Sequence, residues 1–404
     1  MLREPQAGRV FGAALLGRLS YAMGPLSLVL FVQSATRSFA VAGAASAATA
    51  LTSGLLAPLR GRLVDRHGQS RTLPALSLVY AAAFAGVLLV AGRSTVREGS
   101  TVLLAAVAGA TAPPLAASMR VLWVSLVGSG PRLQAALALD SVVEQVLLTV
   151  GPLLAGGLAA ALSSAVPLAA VAALAVAGTI AFTTSAVSRA WTSPGAEVRA
   201  GGWAGALSGR GIRTLVISLT GFGAALGIFD ITLVAAAREA GSTALGGVLL
   251  GLLAAGSVVG GLWYGRRQWR LAADQRFVRL LGLLVLASAL LPLARPLPLL
   301  GIAVVLVGLL LAPLDSSAYV LAAELAPAGT MTEAATWITT ANNVTAAAGI
   351  ALAGVLVGGP GVAWTLALAC ACLLVAFLIA VTGRARLRGG RPLTHWEPTQ
   401  ARRG

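Results

Sequence analysis

The chain contains twelve long apolar runs, each close to the length of a helix that crosses a lipid bilayer. Such a helix needs roughly 20 predominantly apolar residues, whereas the strands of a membrane barrel alternate over short segments. With 57% hydrophobic and only 10% charged residues among 404, the chain is too apolar to bury these runs in soluble cores. We therefore predict an all-α integral membrane protein with twelve transmembrane helices in a lipid bilayer. The runs lie near residues 10–32, 40–59, 72–92, 101–120, 134–160, 164–186, 214–236, 243–264, 277–294, 297–322, 334–357 and 361–382.

All 29 basic residues are arginine, and their placement predicts the orientation of the chain. If the helices cross in turn, most arginines fall on the side that holds both ends of the chain. An excess of arginine marks cytoplasmic segments, so both termini are predicted to be cytoplasmic. In this assignment Arg18 is the one arginine counted within a helix, and arginines near the ends of runs are counted with the adjoining segments. The arginines are spread over many short segments, which argues against a nucleic-acid partner.

The longest stretch without an apolar run lies near the middle of the chain and leaves six runs on either side. Two related halves of this kind are typical of transporters built from parallel repeats. We therefore predict two pseudo-symmetric six-helix bundles joined by a linker. The predicted parts are a first bundle at 1–186, a cytoplasmic linker at 187–213, a second bundle at 214–383 and a basic tail at 384–404.

A short charged turn is predicted at 61–71, between the second and third runs. Its Gly61, Asp65, Arg66, Gly68 and Arg71 resemble the Gly-x-x-x-Asp-Arg/Lys-x-Gly-x-x-Arg/Lys pattern between the second and third helices of the major facilitator superfamily. The resemblance implies that superfamily's fold, and we assign the chain to a bacterial twelve-helix efflux-type branch. It also implies that these residues form a gating motif that latches the two bundles together on the cytoplasmic side.

The gating motif has a predicted partner and a weaker copy. An acid near the N-terminus of a helix is favoured by about 0.3–1 kcal/mol, and the eleventh run begins on the same side as Asp65. The simpler alternative is that the charges only orient the chain and keep the turn solvated. In the second half Gly261 and Gly265-Arg266 take the places of Gly61 and Asp65-Arg66, so the copy has lost its acid.

A second resemblance lies in the fifth run, where Gly151, Pro152 and Gly156 are similar to part of a glycine-proline motif of superfamily exporters. Proline removes a backbone donor and glycine removes a side chain, so this helix can bend and be approached closely. In the superfamily the fifth and eighth helices face each other between the bundles. We therefore expect a glycine seam between them that lets the bundles rock, with static packing as the alternative.

Few ionisable residues fall inside the runs, and each is a candidate for function because an unpaired charge in a bilayer is costly. At 1.5 Å of rise per residue, Arg18 lies about 12 Å from the cytoplasmic end, Asp140 about 10 Å and Glu144 about 16 Å. Asp140 and Glu144 share a helix face, so the three are expected to pair. They form either a structural ion pair or a proton-responsive group. Asp230 and Asp315 are further candidates for proton coupling or for contact with a cationic substrate.

The eleventh run carries Thr336, Thr340 and Asn343 at helical spacing. Such a polar face either bonds a neighbouring helix or lines a substrate path. Both possibilities stay open from the sequence.

The function that these features predict is secondary active transport, in the form of proton-coupled export of small amphiphilic or drug-like molecules by alternating access. The alternatives are a proton-linked importer of a sugar or metabolite and a membrane sensor or scaffold that does not transport. No phosphate-binding loop, metal-ligand cluster or catalytic triad is present in the sequence, so we expect neither an enzyme nor a cofactor. Arginine without lysine suggests a high-GC bacterial genome, hence a bacterial cytoplasmic membrane, and a monomer suffices for the fold.

Overall fold

The computed structural model describes residues 5–91, 95–128, 130–191, 205–241, 244–267, 269, 271–294, 296–359 and 361–388, and these contain no β-strand. Twelve helical spans are long and apolar enough to cross a membrane, which confirms the predicted fold class. The spans are α1 (Pro5–Thr36), α2 (Phe39–His67), α3 (Gln69–Val90), α4 (Thr95–Thr111 and Leu115–Val127), α5 (Pro131–Ala161), α6 (Ala165–Thr183), α7 (Arg210–Glu239), α8 (Ala244–Arg266), α9 (Ala273–Ala289), α10 (Leu297–Leu325), α11 (Met331–Gly358) and α12 (Val362–Thr382).

The predicted turn at 61–71 is wrong in form, because nearly all of it is helical. Helix α2 continues to His67 and α3 begins at Gln69, so only Gly68 lies between them. Gly68 has φ +83° and its amide donates to the Val64 carbonyl at 2.9 Å. Glycine tolerates this left-handed backbone without a steric penalty, which lets the chain reverse within one residue.

The fourth span differs most from its prediction. The predicted run ends at residue 120, but α4 continues to Val127, so Arg120 lies inside the span. Helix α4 is interrupted at residues 112–114, where Pro113 and Pro114 lack amide donors. Because a proline also disfavours the helical conformation of the residue before it, the interruption follows from the sequence.

The two bundles are packed together near one side of the membrane. We call this side, at which α1 begins and α12 ends, the terminal face. A single hydrophobic core there joins Trp123 and Leu137 of the first bundle to Leu314 and Ile338 of the second. Toward the opposite face the first bundle has a separate core, which includes Phe84. Among the described residues, the side-chain hydrogen bonds between the bundles lie in the halves of the helices nearer the terminal face, so the bundles are closed against each other there.

Candidate functional site

Five ionisable side chains meet where the bundles touch, and we call them the charge cluster. They are Arg18 of α1, Arg120 of α4, Asp140 and Glu144 of α5, and Asp315 of α10. Asp140 is fully buried and both arginines are 5% exposed, while the Glu144 side chain is 38% exposed. The cluster thus lies inside the protein with one edge open.

Both arginines contact both carboxylates of α5. Arg18 donates to Asp140 at 2.6 Å and also to Glu144. Arg120 donates from Nε to Asp140 at 2.8 Å and from an amino nitrogen to Glu144 at 2.9 Å. Asp140 and Glu144 are one helical turn apart, so they present a single face to the two guanidinium groups. The predicted pairing of Arg18 with this face has the geometry that the sequence suggested.

The cluster also crosses from the first bundle to the second. The Arg120 guanidinium lies 3.8 Å from the ring centroid of Tyr319 in α10, a cation–π contact. Ser141 of α5 donates to the Asp315 carboxylate at 3.1 Å, and Asp315 is within Coulomb range of Arg120. These contacts cross from one bundle to the other in a structure that is closed at the terminal face.

The balance of charge in the cluster leaves one acid in excess. Asp140 and Glu144 offset Arg18 and Arg120, and Asp315 is bonded only through the Ser141 hydroxyl among the described residues. Asp315 is therefore the acid of the cluster that a proton or another cation could neutralise without leaving an arginine unpaired.

Arg120 is the functional candidate that the sequence interpretation missed. Because Arg120 ends the fourth predicted run, the sequence places it at the boundary with the segment that follows. The residues that follow it, Val121 to Val127, are almost all apolar, and this was the signal that the span continues. Arg60 and Arg276, which lie just outside the predicted runs 40–59 and 277–294, are likewise buried within helices.

A second group of contacts closes the terminal face between α2 and α11. The Asp65 carboxylate accepts the Thr332 amide at 3.1 Å and the Glu333 amide at 2.9 Å. It thereby satisfies two of the free donors that begin α11. Arg62 forms a two-point contact with the buried Glu333 side chain, at 2.9 and 3.3 Å. We call these contacts of Asp65 and Arg62 the latch.

The other residues of the gating motif differ in their contacts and in their exposure. A Cβ atom on Gly61 would lie only 2.9 Å from Glu333 Cα, so glycine is required for α2 to approach α11. Gly68 forms the turn. Arg66 and Arg71 are exposed, and the base that holds Glu333 is Arg62, which lies outside the matched positions of the motif.

The equivalent contact, also at the terminal face, joins α5 of the first bundle to α8 of the second. Gln134 of α5 donates to the carbonyls of Tyr264 at 3.0 Å and Arg267 at 3.2 Å, and it accepts from Arg276. A Cβ atom on Gly261 would overlap Val142, and one on Gly265 would overlap Ala138. Gly61 and Gly261 thus both lie at contacts between the bundles, as related positions of a repeat should.

The predicted glycine seam between α5 and α8 is wrong for the residues of the glycine-proline motif. Gly151 packs against Ala22 of α1, Gly156 is near Leu26 of α1, and Pro152 is exposed. These glycines therefore hold the first bundle together. Gly256 and Gly260 of α8 pack against α10 instead. Only the α8 residues nearest the terminal face meet α5.

The polar residues of α11 divide between two environments. Thr336 is buried against Gly61, and Thr340 donates to the Gly54 carbonyl at 3.0 Å. Pro58 cannot donate to that carbonyl, so Thr340 supplies the missing bond. Asn343 is exposed. The contacts of Thr336 and Thr340 are thus with a neighbouring helix.

Asp230 lies far from the charge cluster, in the half of α7 nearer the opposite face. Helix α7 packs on α11 through Gly223 and Gly227 and on α12 through Gly221. Asp230 is exposed, and it has no ion-pair partner among the described residues.

Comparison with known proteins agrees with this architecture. Among solved structures, the human organic anion transporter MFSD10 (TETRAN) has a TM-score of 0.71 at 18% identity, covering 93% of this chain and 98% of that chain. A bacterial homologue of the iron transporter ferroportin in an outward-facing state also has a TM-score of 0.71, at 15% identity, covering 93% and 99%. At these identities the likeness shows the fold alone. No curated protein sequence matches significantly.

The sequence profile described as Major Facilitator Superfamily matches residues 10–295. This match covers more than half of the chain. The chain therefore belongs to the Major Facilitator Superfamily of membrane transporters.

Proposed function

We propose that the protein exports small amphiphilic or drug-like molecules across a bacterial cytoplasmic membrane in exchange for protons. It works by alternating access as a monomer, with the terminal face toward the cytoplasm. The observation that carries this proposal is the charge cluster, in which three acids meet two arginines at the contact between the bundles. The acid in excess, Asp315, can be neutralised by a proton or by a cationic group of the cargo. The two would occupy the site at different stages of the cycle.

The proposed cycle follows from the contacts of Asp315. While ionised, Asp315 attracts Arg120 across the bundle contact and favours closure of the terminal face. A proton that arrives from the opposite face neutralises Asp315 and weakens that attraction. The latch then opens, the cargo binds from the cytoplasm, and the proton leaves to the same side. The half-exposed Glu144 and the exposed Asp230 give the proton and the cargo polar groups on the route to the opposite face.

The latch and the α5–α8 contact act as the gate of this cycle. Both must break for the terminal face to open. The latch combines hydrogen bonds with one ion pair, and the α5–α8 contact consists of hydrogen bonds. Polar contacts of this kind contribute about 0.5–3 kcal/mol each. A gate of this strength can be opened by the binding of a proton or a cargo molecule.

Inverted membrane vesicles with an acidic interior test the proposal. A panel of lipophilic cations, antibiotics and sugars is added, and dissipation of the pH gradient is followed with a fluorescent dye. The expected result is proton release triggered by a subset of amphiphilic compounds, lost in Asp315→Asn and kept in Glu239→Gln, an exposed acid at the end of α7. No response to any compound from well-expressed protein, or an unchanged response in Asp315→Asn, contradicts the proposal.

A further inference from the structure

The interruption of α4 leaves two carbonyl groups without their usual partners. In a continuous helix the Gly109 and Ala110 carbonyls would accept from the amides four residues on. Those positions are Pro113 and Pro114, which have no amide hydrogen. Within α4 only the Ala112 amide reaches Gly109, at a long 3.4 Å, among the described residues. A buried carbonyl without a good donor destabilises the fold, so donors from another helix are expected.

Arg60 of α2 supplies both bonds. One of its terminal nitrogens donates to the Gly109 carbonyl at 2.5 Å and to the Ala110 carbonyl at 3.1 Å. The other donates to the Ser53 carbonyl of α2 at 2.7 Å. Arg60 is only 5% exposed. The planar guanidinium suits this arrangement because its donors point in fixed, divergent directions.

The bonds from Arg60 extend a wider connection between α2 and α4. Thr49 donates to the Ala105 carbonyl at 2.9 Å, and Thr52 donates to the Ala106 carbonyl at 2.8 Å. Donors on α2 thus bond α4 from Ala105 to Ala110, at the turns that lead into its interruption. Beyond the interruption, α4 carries Arg120 into the charge cluster. At its own end, α2 carries the latch.

We propose that Arg60 is a positioning residue that replaces the two missing backbone donors of α4 and fixes the half-helix bearing Arg120 to α2. The first-bundle residues of the latch and of the charge cluster, Asp65 and Arg120, then move together when the terminal face opens. This inference goes beyond the proposed function, because it holds for any cargo and any coupling ion. Arg60 occupies the end of the broken helix, where carbonyls would otherwise be free to face a metal cation.

The first test is a cycle of substitutions read by thermal unfolding in detergent. Arg60→Met is expected to lower the melting temperature strongly in the natural background. In a Pro113→Ala/Pro114→Ala background the backbone supplies both donors, and the same substitution should cost much less. Arg62→Met is the matched control, since Arg62 lies on the same helix but bonds the latch, and its cost should be equal in both backgrounds. An equal cost of Arg60→Met in both backgrounds overturns the proposal.

The test stays decisive if a variant fails to fold. If Arg60→Met does not accumulate in cells, the Arg60→Met/Pro113→Ala/Pro114→Ala variant should still accumulate, because its α4 backbone supplies both donors. A second measurement uses Arg60→Ala with guanidinium ion at a concentration that does not denature the natural protein. The free ion should raise the melting temperature of Arg60→Ala and leave that of Arg62→Ala unchanged. A lack of selective rescue contradicts the proposal.

A spin-label distance tests the positioning role, which thermal stability alone does not isolate. Labels on His67→Cys in α2 and Ser125→Cys in α4, with Cys370 and Cys372 replaced by serine, report the separation of the two helices. When Asp65→Ala opens the latch in the Pro113→Ala/Pro114→Ala background, the distance should stay narrow with Arg60 present. It should broaden in the Arg60→Met/Pro113→Ala/Pro114→Ala variant. The same distribution in both shows that Arg60 does not tie the helices and overturns the proposal.

Discussion

At the scale of single residues, the two arginines of the charge cluster are not equivalent. Arg18 contacts only the acids of α5, so its interactions stay within the first bundle. Arg120 contacts the same acids and also stacks on Tyr319 of the second bundle. A guanidinium group can do both because its edge donates hydrogen bonds while its face meets an aromatic ring. Arg120 is therefore the residue through which the cluster responds to movement between the bundles.

Replacement of Arg120 tests this role. Arg120→Met should lower the free energy of unfolding by about 3–5 kcal/mol, because it leaves Asp140 and Glu144 with one base in place of two. Arg66→Met, an exposed arginine of α2, is the control and should change stability by less than about 0.5 kcal/mol. Chemical unfolding followed by tryptophan fluorescence measures both. A loss for Arg120→Met as small as that of the control would show that the cluster does not depend on it.

At the scale of helices, carbonyls freed by proline mark where one helix is fastened to another. Pro58 frees the Gly54 carbonyl of α2, which accepts from Thr340 of α11. Pro113 and Pro114 free two carbonyls of α4, which accept from Arg60. Prolines are tolerated in membrane helices when neighbouring groups restore the lost bonds. In this protein the restoring donors connect helices that the transport cycle must move together or apart.

The bond between α11 and α2 gives a prediction of its own. Thr340→Val keeps the shape of the side chain and removes its donor, so it should destabilise the closed terminal face by about 1 kcal/mol. In a Pro58→Ala background the amide of residue 58 satisfies the Gly54 carbonyl, and the effect of Thr340→Val should largely disappear. The two melting-temperature differences measure this interaction. Equal effects of Thr340→Val in both backgrounds would mean that the Thr340 bond is not a replacement for the proline donor.

The helices and one pair of contacts follow from local sequence patterns, and the rest depends on the folded structure. The spans are predictable because apolar length alone decides them. The pairing of Arg18 with Asp140 and Glu144 is predictable from depth and helical spacing. The contacts of Arg62 and Gln134 are not, because their partners lie far away in the chain. The role of Arg120 is not predictable for another reason, since an arginine at the end of an apolar run has the same pattern as a loop residue.

At the scale of the whole molecule, the two halves close the terminal face by related contacts of different chemistry. Gly61 brings α2 against α11, and Gly261 brings α8 against α5. The first contact is fastened by the Asp65 carboxylate and the second by the Gln134 amide. Only the first of these two contacts therefore contains an acid of the motif, which agrees with the loss of that acid at Gly265.

Bulk at either glycine should prevent this closure. Gly61→Leu and Gly261→Leu place a side chain where even a Cβ atom has no room, so both should shift the protein toward a state open at the terminal face. Gly157→Leu is the control, since nothing lies within 4 Å of a Cβ atom there. Alkylation of a cysteine introduced at Thr336, which is 2% exposed, should become faster with either leucine. Unchanged alkylation in both would argue that the glycines do not gate this face.

The central claim is that the charge of Asp315 controls closure of the terminal face. The most direct test is the spin-label distance between His67→Cys and Ala328→Cys across the α2–α11 contact, measured from acidic to alkaline pH. Protonation should lengthen this distance in the natural protein, because it removes the attraction between Asp315 and Arg120. In Asp315→Asn, which carries no charge at any pH, the long distance should persist throughout. A pH response in Asp315→Asn equal to that of the natural protein would contradict the account.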